Sequence, residues 1–148
     1  MASWSEFESA APELAAKVRE RLDAHTHKTL ATLRRDGSPR ISGTETQFED
    51  GELWIGSMLD ALKARDLQRD PRFALHSGSA DPSEWRGDAK LAGRVEEITD
   101  RPHDAEGRSH LFRCDITELV VVRMGEPADH LVIESWHAGR GVTRRKRR

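Results

Sequence analysis

"KTLATLRRDGSPRISGTETQFEDGELWIGS", Lys28 to Ser57, decides the fold. "KTLATL" is a short apolar run that ends in a turn sequence at Asp36-Gly37-Ser38-Pro39. "RISGTETQF" follows, with Thr44 and Thr46 favouring extended backbone because branched side chains fit a pleated surface. Asp50-Gly51 then returns the chain into "LWIGS", since glycine accepts the positive φ of a tight hairpin turn. Residues 29–57 are expected to form a three-stranded meander with two Asp-Gly turns.

Upstream, Phe7, Ala11, Leu14, Val18 and Leu22 recur at helical spacing, which predicts one helix over Ser5–Ala24. Pro12 suits a first helical turn. Downstream, Asp60 is expected to cap a helix that runs to Arg69. Asp70 precedes Pro71, which disfavours helical geometry and stops it. "RFALHS", "AKLAGRVEEI", "ITELVVVRM" and "HLVIESW" are further strand candidates. "GSADPSEWRGD" is a polar loop, "DRPHDAEGRSH" a short helix or loop, and the tail "GRGVTRRKRR" is expected to be disordered. No βαβ rhythm occurs, so antiparallel order is expected, and a small barrel is the simplest way to protect so many strand edges.

The 148 residues suffice for one domain, with 36% hydrophobic and 34% charged residues, so the core must be economical. There is no tyrosine, which excludes a phenol as catalytic acid. The net charge of −2 includes five consecutive basic residues, Arg144 to Arg148. The rest of the chain is more acidic still, which argues against nucleic-acid binding by the folded body. The single cysteine, Cys114, excludes an internal disulfide and a multi-thiolate metal site, and reads as a buried hydrophobe. The N-terminal "MASWSEFESAAPELAAK" carries acids where a signal peptide has basic residues, and no apolar run approaches about 18 residues. A soluble, cytoplasmic protein without membrane contact is expected.

Three features could share one site. Arg40, Ser42 and Thr44 alternate along a strand and so share a face that could hold a phosphate or a polar ring edge. A polar face turned to water reads equally from that alternation. Gly56-Ser57-Met58 ends a strand, where glycine permits close approach of a flat ligand, though a plain strand end fits as well. Lys63 lies in the first turn of a helix, whose unsatisfied N–H groups favour anions. The alternative there is a solvated helix with ion pairs such as Arg65–Asp66–Arg69. His25 and His27 offer two imidazoles but no third ligand, so no metal site is expected. Glu134 to His137 could line a site, with Trp136 equally a core residue. No P-loop or dinucleotide fingerprint occurs, and no strong internal acid or base is visible.

Residues 27–98 resemble the pyridoxamine 5′-phosphate oxidase-like split-barrel family, in particular its flavin- and deazaflavin-dependent oxidoreductases. The resemblance rests on the order strand, "DGSPR", strand, strand ending in Gly-Ser, then "KARDLQRDP" at Lys63–Pro71. "GEPADHLVIESWHAGRG" resembles the family's closing strands more loosely. The resemblance implies a mostly β, six-stranded antiparallel split β-barrel over residues 27–138, flanked by the helix of residues 1–26 and the tail of 139–148. It implies a homodimer with cofactor sites at the interface, and FMN or the deazaflavin coenzyme F420 as cofactor. By position, Arg40, Ile41 and Ser42 would lie along the ring or its phosphate, and Gly56, Ser57 and Met58 would line the ring and ribityl chain. Lys63 would hold the phosphate, and Trp136 and Arg140 of a partner subunit would close the site. The implied activity is hydride transfer between this cofactor and a small organic substrate. The alternative is a flavin- or haem-binding carrier or sensor of the same fold.

Overall fold

The computed structural model describes residues 1–100 and 109–148. The segment 101–108, and with it most of "DRPHDAEGRSH", lies outside the described residues. The expected N-terminal helix is two helices, α1 (Trp4–Ala10) and α2 (Pro12–Asp23). Ser3 caps α1: its hydroxyl accepts from the Glu6 amide while the Glu6 carboxylate accepts from the Ser3 amide. The break falls at Ala11, at φ −142° and ψ 67°, because the residue before a proline is forced out of helical geometry. Trp4 and Phe7 of α1 and Leu14, Ala15, Val18 and Leu22 of α2 are buried together on the barrel.

Among the described residues nine strands follow, against the six expected: β1 (Lys28–Leu33), β2 (Pro39–Thr44), β3 (Thr46–Glu49), β4 (Glu52–Met58), β5 (Arg72–His76), β6 (Asp88–Glu97), β7 (Ser109–Met124), β8 (Leu131–His137) and β9 (Gly141–Arg147). A helix, α3 (Leu62–Arg69), links β4 to β5. All pairings are antiparallel, and hydrogen bonding runs in the order β2-β1-β5-β6-β7-β4-β3. The Asp50-Gly51 turn takes positive φ at both residues, 53° and 74°, the signature of a tight hairpin whose twist matches its strands.

The expected meander is interrupted. Among the described residues β2 pairs only with β1, and β3 only with β4, so the segment expected as one strand stands at both ends of the hydrogen-bonded path. One residue, Glu45, joins the two. That covalent link brings the ends of the path together and closes the sheet on itself, with a gap in the backbone ladder at the closure. Fold class and antiparallel order are as expected; the sequence shows no break at Glu45 because no glycine, proline or other turn residue stands between Thr44 and Gln47.

β7 is the spine of the core. Phe112, Cys114, Ile116, Leu119 and Val121 face inward against Leu53 and Ile55 of β4 and Leu91 and Val95 of β6. The β6–β7 ladder shifts register at Ala92/Gly93. A side chain at Gly93 would run into the Asp115 carbonyl, so the bulge needs glycine.

The C-terminal tail is not a free coil. Residues 141–147 pair with β8 from Leu131↔Arg147 to His137↔Gly141, although every residue of β9 is exposed. What ties the strand down is Glu134 of β8. It is 2% exposed and bonds Lys17 of α2 (2.7 Å), Arg123 of β7 (3.2 Å) and Arg144 of β9 (3.0 Å). Burial alone would raise its pKa; these three cations outweigh burial and hold it down to about 2. Charge composition suggests a solvated run, and the single buried carboxylate that recruits Arg144 lies ten residues away in sequence. Among the described residues, no helix is long and apolar enough to cross a membrane.

Candidate functional site

The gap between β2 and β3 opens into a cleft of about 1190 Å³. Its walls are the β2–β3 link from Gly43 to Gln47, the end of β4 at Gly56, Ser57 and Met58, Lys63 of α3, and His110 and Leu111 of β7. The segment from Asp23 to Lys28, between α2 and β1, forms the remaining side.

Lys63 reaches across the cleft. It is the second residue of α3, half-buried, and its Nζ donates to the Gly43 carbonyl at 2.9 Å. Burial lowers its pKa, and the carboxylate of Glu45 only partly opposes that. A desolvated ammonium whose hydrogen-bond partner is a neutral carbonyl favours an anion beside it. Lys28 repeats the pattern: it is 5% exposed, donates to the Thr26 carbonyl at 3.1 Å, and has its pKa lowered by burial against the pull of Asp23 and Glu45. Gly43 and Gly56 supply the complementary feature. A Cβ at either would meet nothing within 4 Å, so both leave open space where a flat ring can lie against backbone. A desolvated cation beside bare backbone fits a planar ligand with a phosphate tail.

The helix start differs from expectation. Asp60 does not cap α3; it sits at φ 60° and its carboxylate pairs with Arg65 at 2.6 Å, while Ala61 occupies the cap position without a side-chain bond. Asp66 is not part of a surface ion-pair ladder. It is 2% exposed, accepts from the Thr32 hydroxyl and the Arg40 Nε, each at 2.7 Å, and from Arg69 at 3.0 Å. Burial opposes its ionisation, but those three donors outweigh it and lower its pKa. Within "KARDLQRDP", Asp66 and Leu67 therefore hold α3 to the barrel, and Lys63 faces the cleft.

Among the sequence candidates, Gly56, Ser57, Met58 and Lys63 converge on this cleft. Arg40 and Ser42 do share a face, as expected, but Arg40 points at Asp66. Ile41 is 73% exposed and lines a separate shallow groove on the outside of β1, β5 and β6. Trp136 is 5% exposed and packs edge-on against Phe7 at 4.9 Å, so within its own chain it is a core residue. Arg140 is exposed in the β8–β9 turn. His25 and His27 precede β1 in a loop and line the cleft, and no metal-holding cluster occurs among the described residues. Cys114 is fully buried, which pushes its thiol pKa up and leaves it inert.

Sequence reading missed His110 and Glu97. His110 Nδ1 lies 2.9 Å from Glu97 Oε1, and the Asp60 amide donates to its Nε2 at 3.3 Å. Gln68 of α3 donates to the same carboxylate at 2.9 Å. An imidazole paired with a carboxylate thus stands at the cleft, which the sequence does not show. Thirteen residues separate the pair, and only the β6–β7 pairing joins them; no local motif signals it.

The strands thus close into a split barrel with a cleft at its gap. The family model described as pyridoxamine 5′-phosphate oxidase matches residues 14–134, and the chain belongs to this family. A pyridoxamine 5′-phosphate oxidase-related, FMN-binding protein from Nostoc punctiforme is similar in structure, with TM-score 0.65 and 12% identity over 92% of this chain and 95% of that one. PhzG from Burkholderia lata, solved with tetrahydrophenazine-1-carboxylic acid, gives TM-score 0.61 and 13% identity over 95% and 88%. A structure titled F420 reductase gives TM-score 0.54 and 19% identity over 70% and 93%. At these identities the likeness is one of fold. No curated protein matches the chain in sequence.

Proposed function

We infer that this protein is an oxidoreductase that transfers a hydride between FMN or the deazaflavin coenzyme F420 and a small organic substrate, as a cytoplasmic homodimer. The observation that carries the reading is Lys63: a half-buried ammonium bonded to one backbone carbonyl, facing a cleft walled by Gly43 and Gly56. Both cofactors combine a flat tricyclic ring with a phosphate. Lys63 takes the phosphate, with Lys28 adding charge from the far wall. Gly56, Ser57 and Met58 lie along the ring and ribityl chain. When bound, the group supplies the hydride chemistry; the chain fixes its plane, leaves one face to the substrate and excludes water. Names borne by neighbours of the same fold, an FMN-binding protein and an F420 reductase, support the choice of cofactor class.

Met58, which lines the cleft, and Leu59 and Leu62, which follow it in the chain, stand 80%, 51% and 62% exposed. Contiguous apolar surface beside a site supports a covering surface, which we assign to a second copy. Arg140 is the residue assigned to reach the partner's site, since Trp136 is committed to its own core. Visible absorption of the purified protein, followed by titration with FMN and F420, tests the reading. Saturable binding of one is expected; failure of both to bind refutes it.

A further inference from the structure

We propose that His110, oriented by Glu97, is the proton-transferring residue of the cleft. The inference rests on the oxidoreductase reading and extends it to a specific atom. A carboxylate can only accept, so the Glu97 contact at 2.9 Å places a proton on Nδ1. An amide N–H can only donate, so the Asp60 contact at 3.3 Å requires a lone pair on Nε2. Both partners select the same neutral tautomer, with its basic nitrogen at Nε2. Glu97 is itself held by Gln68, so the ring plane is fixed from β6 and α3 together. This is the arrangement in which a carboxylate sets the tautomer of an imidazole and stabilises the imidazolium formed when the ring takes a proton.

The ring is also in the right place. His110 stands directly across the β4–β7 ladder from Ser57, next to the Gly56↔Leu111 pair, and lines the same cleft as Lys63. Its side chain is 12% exposed, so its contact with solvent is through the cleft edge. Among the described residues, the charged groups around it are Glu97 of β6 and the carboxylate of Asp60, which is turned to Arg65. The Asp60 amide bond is long, so it yields readily to a stronger partner.

The proton balance is simple. A ligand carrying H–C–X–H, with X oxygen or nitrogen, loses hydride from carbon to the oxidised flavin-class cofactor and its X–H proton to Nε2, and leaves as C=X. In the reducing direction the imidazolium returns that proton to X, and solvent restores it afterwards.

A purely structural pin between β7, β6 and α3 would use the same bonds, and His110→Gln separates the two roles. A glutamine amide can donate to Glu97 and accept from Asp60, so the pin survives while the exchangeable proton is lost. Nitrogen NMR of the histidine rings in the cofactor-free protein is expected to show an unprotonated Nε2 and a protonated Nδ1 at His110, with that preference lost in Glu97→Gln. His110→Gln is expected to bind the cofactor within about threefold of wild type, while turnover falls about 10²- to 10⁴-fold and loses its pH-dependent limb. A ring protonated at Nε2 in the resting protein overturns the proposal whatever the protein binds. So does a His110→Gln variant with unchanged turnover, or one that loses cofactor binding and turnover alike. If wild type binds neither cofactor, the parent reading fails, and that result is distinct from all of these.

Discussion

Lys63 Nζ lies 2.9 Å from the carbonyl oxygen of Gly43, a hydrogen bond that spans the cleft from the start of α3 to the last turn of β2 before the sheet breaks. The bond joins the two features that make the site. The gap at Glu45 frees backbone and space, and the helix delivers a cation to it. A phosphate placed there would compete with a neutral carbonyl for the lysine and gain the stronger, charge-assisted bond.

Cofactor binding should therefore depend on pH with a definite sign. Burial lowers the Lys63 pKa in the free protein, and a bound anion raises it again. Affinity should hold near neutrality and weaken as pH rises through the depressed lysine pKa. Isothermal titration with FMN and F420 across alkaline pH checks this; affinity that rises with alkalinity would be inconsistent with a phosphate on Lys63.

Asp66 should be the most sensitive polar residue of α3. Asp66→Ala would leave the Thr32 hydroxyl and the Arg40 guanidinium without their partner in a largely buried site, at a cost of about 3–5 kcal/mol. Arg69→Ala, which removes a half-exposed partner of the same carboxylate, should cost about 1 kcal/mol. Urea unfolding of both variants measures the difference, and equal costs would show that burial of the pair contributes nothing special.

Gly93→Ala should destabilise severely. The added Cβ would meet the Asp115 carbonyl, which is backbone in the central β7 and cannot swing aside. Loss of folded protein, or a fall of several degrees in Tm, is expected; a neutral effect would mean the bulge is not rigid.

The strand content and the order of elements are legible in the sequence because apolar alternation and Asp-Gly turns are local signals. So is the place of Lys63 in the first turn of a helix, although the Asp60 cap expected there does not form. The closure at Glu45 is not legible, since the polar run Thr44-Glu45-Thr46-Gln47 carries neither a turn signal nor an apolar residue to mark where one ladder ends and the next begins. Asp66 looks like one more surface charge until β1 and β2 bring Thr32 and Arg40 against it. Trp136 could not be assigned to core or site from spacing alone, and the α1 contact with Phe7 decides it. Every one of these depends on contacts between residues distant in sequence.

The acid limb of stability should be set largely by Glu134. Its folded pKa of about 2 lies below the ordinary carboxylate value, so its contribution is full above about pH 4.5 and is lost as pH falls towards 2. At roughly 1.4 kcal/mol per unit, that contribution is on the order of 3 kcal/mol. Glu134→Gln should flatten the stability curve between those pH values. Deleting residues 144–148 removes the Arg144 bond and four of the seven β8–β9 pairs, so it should cost more than the ~1 kcal/mol of an exposed ion pair, without changing cofactor affinity; an affinity loss that persists in high salt would place the tail in the site.

Light scattering should give about twice the chain mass of 16.7 kDa, and Met58→Asp should shift the protein towards monomer by placing a charge on the covered rim. A monomer that binds cofactor with full affinity would refute the interface site.

The most direct measurement is the titration of FMN and F420 into wild type, Lys63→Ala and Arg72→Ala. Arg72 pairs with Asp70 at the far end of α3 and is the control. Lys63→Ala should weaken binding ten- to hundredfold, about 1.5–3 kcal/mol for a charge-assisted bond, with Arg72→Ala within about twofold of wild type. Binding by Lys63→Ala that matches wild type would contradict the account, because the cleft would then hold its ligand without the lysine that reaches across it.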